Sequence, residues 1–318
     1  MTTTMNTNKH LSSDNKLKDT MDIFYGRITD AMAYVYVRAA RSGLDDPRTV
    51  SGWIRGPHCT LSHTLPTTIA IRDMGAGPTL LGAAAVPDPC FWSPQLPALY
   101  DVHVELCDGS RVVTTFDQTI GIRRLGAAGP NLLWEGKRWV LRGVGSQQQI
   151  TLTDSGAEYV ATFRDATAAM VLVDPDPSIC SHASQAGVIV IAQLTDPANI
   201  EEQLSELGRA GSVAVAILPT DITASDPALH NAAPNLLLAQ HFSDETAINA
   251  ADWADLIVCE VSEASRFHDA VAACPLPIVA QRRLNKSESV AEARQACDRL
   301  QRDLAPAGNY AGYFIGQP

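Results

Sequence analysis

Charged side chains that interrupt or close apolar runs are where this chain could do chemistry. Arg142 sits inside the run 139–144, and Asp174 and Asp176 flank Pro175 just after the run 168–173. Asp221 follows the run 213–218, Glu260 lies near the end of 256–261, and Arg282 follows 277–281. Carboxylates at neighbouring strand ends can exchange protons with a bound substrate. Arginine cannot, because its guanidinium stays protonated at any working pH and carries no nucleophilic lone pair. A buried charge needs a counter-ion. Glu260, in phase with Leu256 and Val258, is therefore expected to neutralise Arg142 or Arg282, unless it works with Asp221. Asp174 and Asp176 suit turn positions or a helix N-cap before Ser178. His182 falls on a predicted helix and His241 at a strand end. Neither has a nearby Ser or Cys with triad logic, so both are expected to be structural.

The elements that must position these residues divide the chain in two. Residues 1–20 are polar, lack an apolar signal core and are expected to form a disordered tail. From 21 to 125 the sequence shows short strands joined by turns, at 34–37, 67–72, 80–86, 99–106, 111–116 and 119–124. That spacing, with little helical periodicity, predicts a β-sandwich. Residues 126–138 form a linker and seam, with a Glu135-Gly136 turn feeding the strand 139–144. From 139 to 318, apolar runs at 139–144, 168–173, 188–194, 213–218, 235–241, 256–261, 277–281 and 311–315 alternate with helical stretches. Ile200, Leu204 and Leu207 share one helix face. Ser289 to Glu292 has the capping-box pattern, opening a helix whose stripe is Ala293, Cys297, Leu300 and Leu304. Strands apolar on both faces mean a parallel sheet. Eight such units predict a compact (β/α)8 TIM barrel, with an open doubly wound sheet as the alternative; no Gly-rich phosphate loop supports the latter. The fold class is thus α/β plus all-β.

With 318 residues and 46% hydrophobic composition, the chain is long enough for two real cores. A net charge of −11 disfavours nucleic acid or an anionic membrane as partner. No run reaches the ~18 apolar residues of a membrane span. Seven cysteines without a CxxC pair suggest reduced thiols in a cytoplasmic setting and no zinc site. The aromatic cluster Phe91-Trp92-Ser93-Pro94, with Pro97 and Tyr100, is expected to pack structurally rather than face a ligand.

These pieces together resemble glycoside hydrolase family 2. Trp92-Ser93-Pro94 with Pro97, Leu99 and Tyr100 is similar to the family's W-P-x-x-P-x-L-Y. Gly121-Ile122-Arg123 resembles its G-x-R strand, and Glu135-Gly136-Lys137 with Leu141-Arg142-Gly143-Val144 its N-G-K…L-R-G-V-N start of the barrel. Gly187-Val188-Ile189-Val190 looks like the third barrel strand and Gly312-Tyr313-Phe314 the eighth. The resemblance covers about residues 85–318 and implies an immunoglobulin-like sandwich followed by the barrel, without the family's N-terminal jelly roll.

The resemblance also says what the site should hold. Retaining glycosidases need two carboxyl groups about 5–5.5 Å apart on facing strands. The acid/base position corresponds to Asp221, preceded by Thr220 where the family has Asn. The nucleophile position corresponds to Arg282, which cannot form a glycosyl-enzyme bond. The Asn and His after the first strand correspond to Gly145 and Gln147, the glutamate of the third strand to Gln193 or a neighbour, and the aromatic residue after the eighth to Gly316. The implied function is a catalytically degenerate, non-catalytic member of that fold, binding a carbohydrate or another protein through Arg142, Gln147, Asp174, Gln193, Asp221, Glu260 and Arg282. No cofactor, metal, nucleic acid or membrane is implied. The alternative is an active O-glycosyl hydrolase with relocated carboxylates, Asp221 and Glu260 as an inverting pair about 6.5–9.5 Å apart. Arg142 (in phase with Val140 and Val144) and Arg282 (in phase with Ile278 and Ala280) are expected to point into the barrel, where an arginine–carboxylate pair would replace the two catalytic glutamates.

Overall fold

The computed structural model describes residues 21–40, 47–75, 77, 79–146, 154–219, 221–222, 224–243, 248–261, 271, 273–284, 288–306 and 308–316. Two compact units divide the chain: one drawn from Met1–His58, His63–Cys90 and Ala98–Ile122, the other from Cys59–Ser62, Phe91–Pro97 and Arg123–Pro318.

The first unit is a single curled antiparallel sheet of seven strands in the order β1-β2-β5-β4-β3-β6-β7. They are β1 (Met21–Gly26), β2 (Met32–Ala39), β3 (Arg48–His58), β4 (Thr67–Asp73), β5 (Leu80–Pro87), β6 (Leu99–Asp108) and β7 (Arg111–Ile120). Strand alternation builds its core. Ala33, Val35 and Val37 of β2 are buried, as are Val102, Val104 and Leu106 of β6, while the residues between them are partly exposed or exposed. β4 pairs with β3 from Gly52 to Gly56 but with β5 only through Arg72 and Asp73. It therefore passes from one layer to the other, the strand-switching arrangement of an immunoglobulin-like sandwich. At the start of β6 the buried Tyr100 hydroxyl accepts a 2.8 Å hydrogen bond from Cys90 N, tying the β5–β6 connection to the sheet as a tyrosine corner. β3 was not anticipated, because Gly52, Gly56 and two arginines hide its alternation. The expected strand at 119–124 is not separate: β7 runs on to Ile120, and 121–124 form no strand.

The second unit opens with a three-stranded antiparallel sheet in the stretch read as linker: β8 (Leu125–Ala128), β9 (Asn131–Trp134) and β10 (Lys137–Trp139). The Glu135-Gly136 turn joins β9 to β10, so the expected strand 139–144 is split and the first barrel strand starts at Leu141. Trp92 belongs to this unit. It is fully buried, donates from Nε1 to Ser184 O at 2.8 Å and lies 6.2 Å from Trp134. Its role is structural.

Eight parallel strands then close into a barrel, so the open-sheet alternative is excluded. They are β11 (Leu141–Ser146), β12 (Ala169–Val173), β13 (Val190–Gln193), β14 (Val213–Leu218), β15 (Leu237–Phe242), β16 (Leu256–Glu260), β17 (Ile278–Arg283) and β18 (Gly312–Gly316), with β11 pairing to β18. The described helices are α1 (Asp154–Ala166), α2 (Pro177–Ala186), α3 (Ile200–Gly208), α4 (Asp226–Ala232) and α5 (Val290–Leu304). Local signals set their ends. Asp176 caps α2 by accepting from Ser178 N at 2.8 Å, Pro177 follows it, and Gly187 ends the helix at φ 74°, where a side chain would also meet Pro94 O. The Ser289–Glu292 capping box opens α5, and Ala293, Cys297, Leu300 and Leu304 are buried as expected. α5 packs on β18, β11 and α1. Among the described residues no helix is long and apolar enough to cross a membrane.

Candidate functional site at the barrel mouth

Strand alternation decides which side chains can meet inside the barrel. Val144, Met170, Leu172, Ile257, Cys259, Ile278, Ala280, Tyr313 and Ile315 pack with the helices and so form the outer face. The intervening residues turn inward. Gly143 confirms the phase: a Cβ there would stand 2.6 Å from Phe314 and 2.8 Å from Val171, so only glycine lets those two side chains fill the barrel.

This phase corrects the expected positions of both arginines. Arg142 and Arg282 face outward. Arg142 Nε donates to Asp298 Oδ1 at 2.8 Å and its Nη2 to Gln301 Oε1 at 2.6 Å, both on α5. Arg282 Nη1 bonds Asp303 Oδ2 on the same helix at 3.0 Å. The two inward residues at the end of β17 are Gln281 and Arg283. Glu260 does point inward, and the pair forms one residue along from the expected place: Arg283 Nε lies 3.0 Å from Glu260 Oε1. β16 and β17 bring them together, with Glu260 registered against Gln281.

Around this pair the mouth collects further polar groups. His241, inward on β15, hydrogen-bonds Gln281. Burial pushes its pKa below the ordinary 6.5, and Arg283 adds to that, against the opposing pull of Glu260 and the Gln281 bond. Gly316, where an aromatic residue was expected from the resemblance, leaves room: a Cβ there would lie 3.5 Å from Arg283 Cγ and 3.7 Å from Gln281 Nε2. A tryptophan at 316 would compete with both for the same space. Gln193 ends β13, half-buried.

The remaining predicted residues are scattered. Asp174 is exposed and holds the next loop, accepting from Thr195 N at 3.0 Å and from the Thr195 hydroxyl. Asp221 is exposed in the turn after β14. Gly145 lies on β11 opposite Val171. Gln147 and Thr220 lie outside the described residues. Nucleophilic thiol chemistry has no support in the buried cysteines, since burial pushes Cys180 and Cys259 up to about 12 and Cys297 to about 11. Among the described residues no cluster of His, Cys, Asp and Glu could hold a metal ion.

Sequence reasoning missed Arg283, Gln281 and the mouth position of His241. Arg283 sits beside Arg282, and only the in–out phase separates the two. Chemically, the mouth offers an amide, an imidazole, a guanidinium and a carboxylate within one ring of strand ends. Such planar donors and acceptors can bind adjacent hydroxyl groups. The inward end of β17 supplies no carboxylate.

Comparison with known proteins agrees with this architecture. Residues 58–123 match the family model for glycosyl hydrolases family 2. Among solved structures, β-glucuronidase from Bifidobacterium dentium complexed with coumarin-3-O-glucuronide superposes with a TM-score of 0.64 at 16% identity, covering 93% of this chain and 60% of that one. For Bacteroides uniformis β-glucuronidase the values are 0.62, 14%, 94% and 45%. For the Parabacteroides merdae enzyme they are 0.62, 11%, 94% and 47%. At these identities the likeness is one of fold, and the chain spans about half the length of these relatives. No curated protein sequence matches the chain. In the sequence of residues 58–123 and in the fold of its sandwich and barrel, this chain is similar to the glycosyl hydrolases of family 2.

Proposed function

We propose that this chain binds a carbohydrate at the mouth of its barrel without cleaving it. The observation that carries this reading is the Glu260–Arg283 ion pair, together with Gln281 and Arg283 as the inward residues of β17. Retaining hydrolysis needs a carboxylate nucleophile and a proton-bearing carboxylic acid about 5–5.5 Å apart. An amide and a guanidinium supply neither, and the charge of Glu260 is taken up by Arg283. Sugar binding asks only for hydrogen bonds to hydroxyls, which Gln281, His241, Glu260 and Arg283 can make. The β-glucuronidase neighbours make uronic acids the first sugars to try, since a sugar carboxylate could share Arg283.

The test is a screen of purified protein against chromogenic β-glucuronides, β-galactosides and β-mannosides, alongside calorimetric titration with the corresponding free sugars. We expect no turnover and saturable binding that Glu260→Ala and Gln281→Ala each weaken. Turnover abolished by Asp221→Ala or Glu260→Gln would establish the alternative, an inverting hydrolase using those two carboxylates. Absence of both turnover and sugar binding would overturn the carbohydrate reading and leave a protein partner as the role of the fold.

A further inference from the structure

At the opposite end of the same barrel, where β11, β12 and β13 begin, lies a cavity of about 760 Å³. Four arginines line it: Arg138, Arg142, Arg164 and Arg294. Its described lining contains no Asp or Glu. In a chain of net charge −11, four guanidiniums around one cavity are a marked reversal of the average surface. From the barrel and nothing else, this concentration has only a partial structural reason. Arg142 and Arg294 share one carboxylate, both bonding Asp298 Oδ1 at 2.8 Å. One negative charge thus serves two positive ones. Arg294 Nε is buried and has no hydrogen-bond partner among the described residues. Arg138 and Arg164 are exposed at the rim, Arg164 in the last turn of α1. The walls between them are apolar: Trp139 and Val140 are half-buried and Phe163 is fully buried.

We infer that this cavity is a binding site for a small organic dianion carrying a flat apolar group, of the phosphomonoester or dicarboxylate class. Guanidinium forks match phosphate and carboxylate oxygens bidentately, with charge on both partners of each bond. The dianion completes the charge balance that Asp298 begins, with the two rim arginines as donors. The apolar group lies against Trp139 and Val140. The site is separate from the barrel mouth and does not depend on what binds there.

The experiment is calorimetric titration of the full chain at low salt with phenyl phosphate and with phthalate, and with benzyl alcohol as the neutral analogue. We expect one-to-one binding of at least one dianion, the tighter of the two naming the class, and none of benzyl alcohol. Arg138→Gln and Arg164→Gln are at exposed positions with no described side-chain hydrogen bond or ion pair, so both should fold as the parent does. Each should weaken dianion binding by about tenfold or more, the worth of one charge-assisted hydrogen bond. Arg111→Gln, on the sandwich hairpin and outside the lining, should leave binding unchanged. Failure of both dianions to bind, binding that survives Arg138→Gln and Arg164→Gln, or equal weakening by Arg111→Gln would overturn the proposal.

Discussion

Arg282 and Arg283 show how much one residue of phase decides. In a strand buried on both faces, hydropathy gives no sign of which alternate set turns inward. The sequence therefore identifies an arginine at the end of β17 but leaves which of two neighbours meets Glu260 to the fold. The energetics follow from exposure. The Glu260–Arg283 side chains are 29% and 62% exposed, and Arg282 pairs with an Asp303 that is 52% exposed. Neither is the deeply buried pair whose rupture costs several kcal/mol. Arg282→Met and Arg283→Met should each lower stability by no more than about 1 kcal/mol, read from denaturant midpoints. A loss of several kcal/mol at position 282 would show that the outer pair is far better shielded than its exposure indicates. His241 gives the site a pH signature. Its pKa is lowered in the fold by burial and Arg283, despite Glu260 and Gln281 acting the other way. The unfolded chain therefore takes up a proton first, so the contribution of His241 is complete above pH 6.5 and is lost as pH falls through the lower, folded value. His103, raised chiefly by its Asp117 bond, acts oppositely, its contribution present in acid and lost as pH rises. The difference in stability between the parent and His241→Asn should shrink or change sign on going from pH 7 to pH 5. A pH-independent difference would mean that His241 titrates as it does in the unfolded chain.

At the scale of elements, the legible features were those with a local cause. The α5 capping box, the Ile200, Leu204 and Leu207 face of α3 and the apolar run of β14 all appear where the sequence placed them. β3 and the three short strands from Leu125 to Trp139 did not, because their stability comes from partners rather than from alternation. Two elements invite direct measurement. Tyr100→Phe removes the acceptor for the Cys90 amide at the β5–β6 corner. It should cost about 1–2 kcal/mol in thermal or chemical unfolding, since the part-buried Cys90 N–H loses its hydroxyl acceptor. Ser289→Ala removes the α5 cap, in which Ser289 Oγ accepts from Glu292 N at 3.3 Å, and should cost about 1 kcal/mol. A neutral effect at either position would mean that water replaces the lost oxygen without penalty.

For the whole molecule, order and type of elements were readable from the sequence because a barrel needs eight apolar runs and helices to cover them. Closure was not, since no local pattern tells an open sheet from one whose last strand meets its first. That meeting is the feature with the widest consequence. Leu141 pairs with Gly312, the Leu141 amide donates to Ala311 O at 3.0 Å, and the chain between them is the entire barrel. Such a contact is rewarded only after the longest loop in the unit has been closed, so it should be late in folding and early in opening. α5 bridges the join, and Arg142 on β11 fastens it through Asp298 and Gln301. In native-state hydrogen–deuterium exchange, the Leu141 amide should therefore open at lower free energy than those of Val215 to Leu218 in β14. Arg142→Met should widen that gap, accelerating exchange at the join while leaving β14 at the global limit. Uniform protection around all eight strands would instead describe a barrel that opens only as one cooperative unit.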